Sequence, residues 1–290
     1  MYLRWAGGKT RLANEIISEF PQEFDRYFEP FCGSAAMYLA YADKISQLQE
    51  TEFDEEEDKA HYPSEVYLSD INSALIHCHR TVRDNLYELK TELISFEKKH
   101  KLDPEGTYSL ERSLVTDCGE TIKCAARFIY INKTCFNGLW RVNKSGEFNV
   151  PWSQKREVNL RSKKLNTASR LFQGINLIEQ NYDEFVRNRC RNGDFVYLDP
   201  PYYPLSETSN FTTYTKGGFD PDKGIKALKY LCNWMSDQGI RWLMSNSSAK
   251  QVYKTFRGFH IQEITAHRFV KALGENETRE QVEETLIRNY

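Results

Sequence analysis

Asp199-Pro200-Pro201-Tyr202 follows directly on the apolar run Phe195-Val196-Tyr197-Leu198, so a buried strand is predicted to end in a rigid loop that carries a carboxylate and an aromatic ring. Pro200 and Pro201 contribute no N–H and fix their own φ, which leaves the loop carbonyls free to accept beside the Asp199 carboxylate. Two neighbouring acceptors suit one exocyclic NH2 group. Tyr202 adds a flat face for a base taken out of its stack, the arrangement that enzymes modifying nucleobases require. The competing reading is a plain strand-to-turn exit, in which the prolines only turn the chain.

A second candidate lies near the N-terminus, where Trp5-Ala6-Gly7-Gly8-Lys9-Thr10 ends like a phosphate-binding loop. The first glycine of that motif would fall at Leu3, and no apolar strand precedes it, so nucleotide triphosphate hydrolysis is not indicated. A Gly-Gly turn with a lysine instead suits any small anion, a carboxylate included, and otherwise is a tight turn with a surface lysine. Cys32-Gly33-Ser34-Ala35-Ala36 is a small-residue turn between the apolar stretch Arg26 to Phe31 and a helical stretch from Met37 to Asp43. Val66-Tyr67-Leu68-Ser69 is a second strand closed by Asp70, with Asn72 placed to cap the following helix. In doubly wound folds the small-residue turn lets backbone approach a cofactor, and the acidic residue closing the second strand receives ribose hydroxyls.

These elements must be positioned by a sheet. Phe195 to Leu198 and Trp242-Leu243-Met244-Ser245 supply further apolar strands, separated by helical stretches such as Ile225 to Ser236. Strand and helix in alternation predict an α/β fold with an open sheet. Val282 to Tyr290 alternates enough to be a last strand at the sheet edge. From Ser73 to about Arg170 the alternation gives way to helical periodicity, over Thr81 to Glu97 and Lys123 to Asn132, then to an irregular basic stretch. This is read as an inserted subdomain, 73–170, between catalytic segments 1–72 and 171–290. Within it, Gly138 to Val142 and Glu147 to Val150 flank Asn143-Lys144-Ser145-Gly146, a hairpin signal. A two-stranded ribbon fits the DNA major groove and here carries Arg141 and Lys144.

The net charge of −2 over 290 residues hides a segregation. Glu50, Glu52, Asp54, Glu55, Glu56, Glu57 and Asp58 form an acidic block, read as a solvated loop or insertion. From Ile122 to Arg170 eleven basic residues face two acidic ones, a balance of +9. Phe128, Tyr130, Phe136, Trp140, Phe148 and Trp152 are interleaved with them, and cations alternating with aromatics suit a polyanion that carries stackable bases; the alternative is a basic face that serves solubility. No apolar run approaches the roughly 18 residues of a membrane span, and a soluble chain is expected. Seven scattered cysteines without a C-x-x-C pair disfavour a disulfide framework and a zinc knuckle, so reduced thiols in a cytosol are expected. His77-Cys78-His79 has the composition of a ligand cluster, but adjacent helical residues point in different directions, and no metal is expected.

Taken together, Trp5-Ala6-Gly7-Gly8-Lys9, Phe28-Glu29-Pro30-Phe31-Cys32-Gly33, Asp70-Ile71-Asn72 and Asp199-Pro200-Pro201-Tyr202 resemble the DNA adenine-N6 methyltransferase family typified by Dam. The order of the motifs matches too. The resemblance extends through Phe136-Asn137-Gly138-Leu139-Trp140-Arg141, Gly146 to Pro151, Ser209-Asn210-Phe211 and Val282-Glu283-Glu284-Thr285-Leu286. It implies a Rossmann-like methyltransferase sheet, mostly parallel with a reversed edge strand, and transfer of a methyl group from S-adenosylmethionine to adenine N6 in duplex DNA. By analogy Trp5, Ala6, Gly7 and Lys9 hold the methionine end of the cofactor, and Glu29, Pro30, Phe31, Cys32, Gly33 and Ser34 line its pocket. Asp70 takes the ribose hydroxyls, Ile71 belongs to the same cofactor site, Tyr182, Asp183 and Phe185 border the cofactor adenine, and Asp199 to Tyr202 form the catalytic loop. One departure stands in the cofactor turn, where the family often has a second glycine and Ala35 stands here; alanine disfavours φ > 0, so a differently shaped loop is expected.

For sequence choice the resemblance points to GATC, with Arg141 and Arg4 as guanine readers, Leu139 and Pro151 against thymine methyl groups, Phe136 filling the vacated stack, and Asn137 and Lys144 on the same DNA face. The implied protein is a monomer that needs no metal and acts on DNA in the cytoplasm of a bacterial or phage-infected cell. Methyltransferases acting on cytosine N4 or on a glutamine amide handle NH2 groups with similar tetrapeptides. Asp rather than Ser or Asn at position 199 argues against both by resemblance, and the basic aromatic insertion argues against a protein substrate. A DNA-binding module with a silent site is the rival from another class, and Lys9, Asp70 and the whole tetrapeptide speak against it.

Overall fold

The structure is a computed structural model that describes residues 1–290 except 6, 8, 52–61, 117, 206–219 and 271–277. Ala6, Ser209-Asn210-Phe211 and residues 52–58 of the acidic block therefore lie outside the described residues. Seven strands form one sheet: β1 (Arg26–Glu29), β2 (Glu65–Asp70), β3 (Asn176–Glu179), β4 (Phe195–Leu198), β5 (Arg241–Ser247), β6 (His260–Val270) and β7 (Thr278–Arg288). Their order is β3-β2-β1-β4-β5-β7-β6. The first five are mutually parallel, and β7 runs antiparallel to both β5 and β6. The chain is thus an α/β protein with a Rossmann-like methyltransferase sheet. The reversed strand stands one place in from the edge, because β6, absent from the sequence reading, covers its outer side.

Period-two alternation sorts neighbouring side chains to opposite faces of the sheet. Tyr27, Phe195, Tyr197, Leu243 and Leu286 belong to one buried cluster, while Phe28, Val196, Leu198, Trp242, Met244 and Ile287 belong to the other. Both faces are covered, as parallel strands require, which is why β4 reads as an unbroken apolar run. On the second face lie α8 (Tyr182–Arg189), α9 (Pro221–Asp237) and α10 (Lys250–Thr255), which contribute Phe185, Leu228 and Val252 to that cluster. The first face receives α1 (Ala13–Ser18) and α2 (Ala36–Thr51), through Ile16 and Tyr38. At the amino ends of the strands, fully buried Asp194 accepts from Arg26 Nε at 2.9 Å and Nη2 at 2.6 Å, tying β1 to the loop before β4.

The insertion comprises α3 (Ser73–Asp84), α4 (Leu86–Leu102), α5 (Pro104–Ser113), α6 (Ile122–Thr134), a 3-10 turn at Phe136–Gly138 and α7 (Lys163–Leu171). Its apolar residues, Leu89, Phe96 and Tyr130 among them, join the same buried cluster as the sheet's first face without a break. The helix expected over Thr81 to Glu97 is two helices, broken at Asn85, whose φ of −131° and ψ of 40° fit neither. The predicted hairpin is present as a Val142–Phe148 antiparallel bridge. Its turn is held by Asn143, whose Oδ1 accepts from the N–H groups of Ser145 and Glu147.

Strand order reverses between β1 and β4, since β2 and β3 build outward on one side and β5 on the other. Ligands of open α/β sheets bind at the carboxyl ends of the strands flanking such a switch point. The turn after β1 and the Asp199 loop after β4 are the two segments that leave the sheet there. Within the first, Gly33 adopts φ +47° and Ala35 φ +56°. The loop therefore keeps the left-handed shape that a second glycine would allow, correcting the expectation of a different shape. A methyl-bearing residue there costs about 1–2 kcal/mol. Ala35→Gly is expected to raise stability by about 1 kcal/mol, less the added chain entropy of glycine, read as a higher urea midpoint at unchanged slope. A lower midpoint would mean that packing of the buried Ala35 methyl outweighs the strain.

Candidate active site

Lys9 is only 3 % exposed, and its ammonium cannot be left without partners at that depth. Its Nζ lies 3.2 Å from Asp199 Oδ1 and 3.5 Å from Glu284 Oε2, donates to the Gly7 carbonyl at 3.0 Å, and stands 4.2 Å from the centre of the Tyr202 ring. Tyr202 donates its hydroxyl to the same Glu284 Oε2 at 2.9 Å. Ser245 Oγ donates to Asp199 Oδ1 at 3.0 Å and stands 2.9 Å from the Tyr197 hydroxyl. Both side-chain contacts to Asp199 thus fall on Oδ1. Burial raises the Asp199 pKa and Lys9 opposes that, while the negative Glu284 adds to it. Two carboxylates thus converge on one ammonium.

The turn after β1 is braced from three sides. The Asp70 carboxylate at the end of β2 accepts from Gly33 N–H at 3.1 Å and from Asn72 N–H at 3.0 Å, and Cys32 N–H donates to the Ser69 carbonyl at 2.8 Å. Burial raises the Asp70 pKa against these backbone donors. A Cβ on Gly33 would sit 2.8 Å from the indole of Trp5, so only glycine lets the N-terminal segment lie on the turn. From below, Glu29 accepts from the Tyr27 hydroxyl at 2.9 Å and from the Tyr38 N–H of α2 at 3.2 Å, and burial pushes its pKa up to about 8. Glu29, Pro30, Cys32 and Ser34 are buried, so they shape the turn, whereas Phe31 stacks on Tyr182 with ring centres 4.7 Å apart.

Other predicted residues separate by depth. Ile71 is 54 % exposed beside Asp70, and Asp183 pairs with Arg187 on the surface of α8. Phe185, expected to border an adenine, is fully buried edge-to-face on Phe28 and belongs to the core beneath. On the insertion side, Asn132 of α6 accepts from the Arg4 N–H at 2.8 Å and donates to its carbonyl at 2.6 Å, aligning the N-terminal segment with the 3-10 turn. Phe136 is 51 % exposed, Asn137 adopts φ +54°, and Pro151 accepts from the Phe136 N–H through its carbonyl. Arg141 donates to the Asn149 side chain at 2.8 Å on the exposed hairpin, and Lys144 is exposed at its tip. Leu139 is half-buried. A cavity of about 340 Å³ is lined by Leu3, Arg4, Trp5 and Thr10 of the N-terminal segment, Ser34 of the turn after β1 and Asn137 of the 3-10 turn.

The family model for the D12 class N6 adenine-specific DNA methyltransferase matches residues 5–270, a span that holds Lys9, Asp70 and Asp199. The chain belongs to this family. Among its relatives, the type II methyltransferase M.MjaIII of Methanocaldococcus jannaschii is 34 % identical over 100 % of this chain and 98 % of its own length. The DNA adenine methylase of Vibrio cholerae is 28 % identical over 98 % of this chain and 94 % of its own. Among solved structures, a precorrin-6y C5,15-methyltransferase from Geobacter metallireducens aligns over 95 % of this chain and 88 % of that one, with a TM-score of 0.38 and 8 % identity.

Three residues of this D12-class methyltransferase received no site role from the sequence: Ser245, Glu284 and His79. Glu284 reaches the mouth only because β7 is threaded beside β5. His79 lies in the cluster considered above as a ligand set, yet it is a buried strut. Its Nε2 contacts the Gly33 carbonyl at 2.7 Å, which can only accept, so Nε2 carries the proton and Nδ1 accepts from the Tyr2 hydroxyl. His77 instead meets the Thr121 carbonyl. Among the described residues no three His, Cys, Asp or Glu side chains stand together as an ion site, and no helix is long and apolar enough to cross a membrane. The expectation of seven reduced thiols is corrected by a Cys118–Cys124 disulfide: Thr121 caps α6 and folds the preceding loop back, bringing the two Cα atoms to 5.6 Å.

Burial holds the His79 pKa down at about 4, against about 6.5 in an unfolded chain. Below pH 6.5 the unfolded state therefore takes up a proton that the native state refuses, and stability is lost as pH falls toward 4. The stability advantage of wild type over His79→Asn is expected to shrink by about 3 kcal/mol between pH 7 and pH 4, measured by urea unfolding. An advantage independent of pH would contradict the neutral strut.

Proposed function

We propose that this D12-class methyltransferase transfers the methyl group of S-adenosylmethionine to N6 of an adenine rotated out of duplex DNA, within GATC. The observation that carries the reading is Asp199 at the switch point, held through Oδ1 by Lys9 and Ser245 beside the turn that Asp70 braces. The donor set fits the cofactor: a carboxylate at the end of β2 for ribose hydroxyls, exposed Ile71 and half-buried Tyr182 for an adenine, and a mouth with more acidic than basic side chains for a sulfonium. Trp5, Gly7, Lys9, Phe31, Gly33, Ser34, Asp70 and Ile71 would hold it. S-adenosylmethionine supplies an electrophilic methyl group on a positively charged sulfur.

Adenine N6 is a poor nucleophile because its lone pair is delocalised into the ring. Asp199 Oδ2 and the Pro200 carbonyl, accepting the two N6 hydrogens, pull that nitrogen toward tetrahedral geometry and offset the positive charge that develops on it. As N6 takes the methyl group it gives up one hydrogen as a proton, through Asp199 to solvent, and no covalent bond to the protein is needed. Rotating the base out costs a few kcal/mol, and stacking on Tyr202 returns about 1–3 kcal/mol. Lys9 occupies one face of that ring, so the base takes the other. Half-exposed Phe136 is suited to fill the vacated stack.

Residues 1–72 and 171–290 form the catalytic part in this reading, and 73–170 the target-recognition part. Arg141 on the hairpin and Arg4, aligned by Asn132, read guanines, while Leu139 and Pro151 meet thymine methyl groups. Asn137 and Lys144 complete the DNA face, and the enzyme works as a monomer on DNA in the cytoplasm.

Asp199→Ala is expected to lower methylation of plasmid DNA by at least about 100-fold, measured with tritiated cofactor; a rate near wild type would rule the assignment out. Arg141→Ala should lose about 1–3 kcal/mol of discrimination at one base pair, mapped by sequencing methylated adenines. Lys163→Ala or Lys164→Ala should instead weaken all DNA alike and reduce the salt slope by about 1. If Arg141→Ala behaved like the lysine variants, its base-reading role would be wrong.

A further inference from the structure

Glu284 takes no part in gripping the amine in the proposed mechanism. It sits on β7 with its backbone fixed on both sides, in register with Ser247 of β5 and Ile264 of β6, so it projects from a rigid element. One atom, Oε2, takes both the Tyr202 hydroxyl and the Lys9 ammonium. The triangle of Lys9, Tyr202 and Glu284 therefore fixes two groups that both touch the Asp199 loop.

We propose that Glu284 is a positioning residue for methyl transfer, drawing the Lys9 ammonium partly off Asp199 and locking the Tyr202 ring, so that Asp199 remains a strong acceptor for the amine. The argument rests on the reading that Asp199 accepts adenine N6. An ammonium facing a single buried carboxylate collapses onto it, and a carboxylate so neutralised is a weaker acceptor for any other N–H. With two carboxylates the one positive charge is divided, at 3.2 Å and 3.5 Å. Glu284 also supplies the surplus negative charge of the mouth. Methyl transfer moves a positive charge from sulfur to nitrogen without changing the total, so a fixed negative surplus near the receiving amine favours the charge where it arrives.

Glu284→Gln keeps the size of the side chain and an oxygen for the Tyr202 hydroxyl but removes the charge. The groups facing Asp199 are then Lys9 and Tyr202, Ser245 of β5, Tyr197 of β4 and Glu29 of β1, with Lys9 no longer shared. In Glu284→Gln, single-turnover methylation is expected to fall by about tenfold or more while KM for DNA stays within about twofold. The acid limb of its pH–rate profile should move down by about half a unit or more, because Asp199 loses a like-charged neighbour and keeps an opposite one. Carbon-13 titration of the Asp199 carboxyl in the free protein should show the same downward move. Glu284→Asp, which keeps the charge, should return the acid limb toward its wild-type place.

A Glu284→Gln protein with a wild-type rate and an unmoved Asp199 titration overturns the proposal. So does a loss of rate in both variants that tracks a lower melting temperature with no pH displacement, which is the signature of a purely structural ion pair. Asp199→Ala run in parallel separates the two ideas: if it stays active, the reading of the site fails, and if it is inactive while Glu284→Gln behaves as wild type, only Glu284's role fails.

Discussion

A single buried ammonium sets the architecture of the mouth. Lys9 comes from the N-terminal segment, Asp199 and Tyr202 from the loop after β4, and Glu284 from the reversed strand. Desolvating a lysine to this extent is costly, and only converging carboxylates, a carbonyl and an aromatic face make it tolerable. The charge is therefore a geometric specification: each of the three segments has to arrive for the other two to be stable. A sheet whose order reverses between β1 and β4, with a reversed strand packed beside β5, brings all three to the carboxyl edge.

The neighbouring turn is held by close steric fit, backbone conformation and hydrogen bonds to the peptide groups of Gly33. Gly33 admits the Trp5 indole, Ala35 accepts a strained left-handed conformation, and Asp70 with His79 pins the backbone of Gly33 from opposite sides, one through its N–H and the other through its carbonyl. Strain at such a place persists only where the surroundings over-determine it. Both peptide groups of one glycine are thereby immobilised before any ligand enters, which favours a preformed binding surface over one shaped on contact.

Much of this was legible in the residues themselves. The Asp199 loop after β4 could be read because an unbroken apolar run meets two prolines, and the turn after β1 because small residues follow one strand and an aspartate closes the next. The hairpin was legible from its Asn-Lys-Ser-Gly turn. What stayed hidden depends on order in space. Glu284 is one of several glutamates in a stretch with strand alternation, and nothing local distinguishes the one facing Lys9. His79 sits beside a cysteine and a second histidine, a composition that suggests ligands, yet burial makes it a neutral spacer. The break at Asn85 carries no proline or glycine, and β6 carries too many polar residues to announce a strand. The Cys118–Cys124 pair follows from how a capped helix folds its leader back, which spacing alone does not encode.

The reversed strand has a kinetic consequence. Because β7 inserts between β5 and β6, its pairing partners and the lysine it must meet are separated by nearly the whole polypeptide, a high-contact-order closure. Completing the sheet and completing the mouth then depend on the same pairing, so a chain that has not yet placed β7 lacks Glu284 beside Lys9.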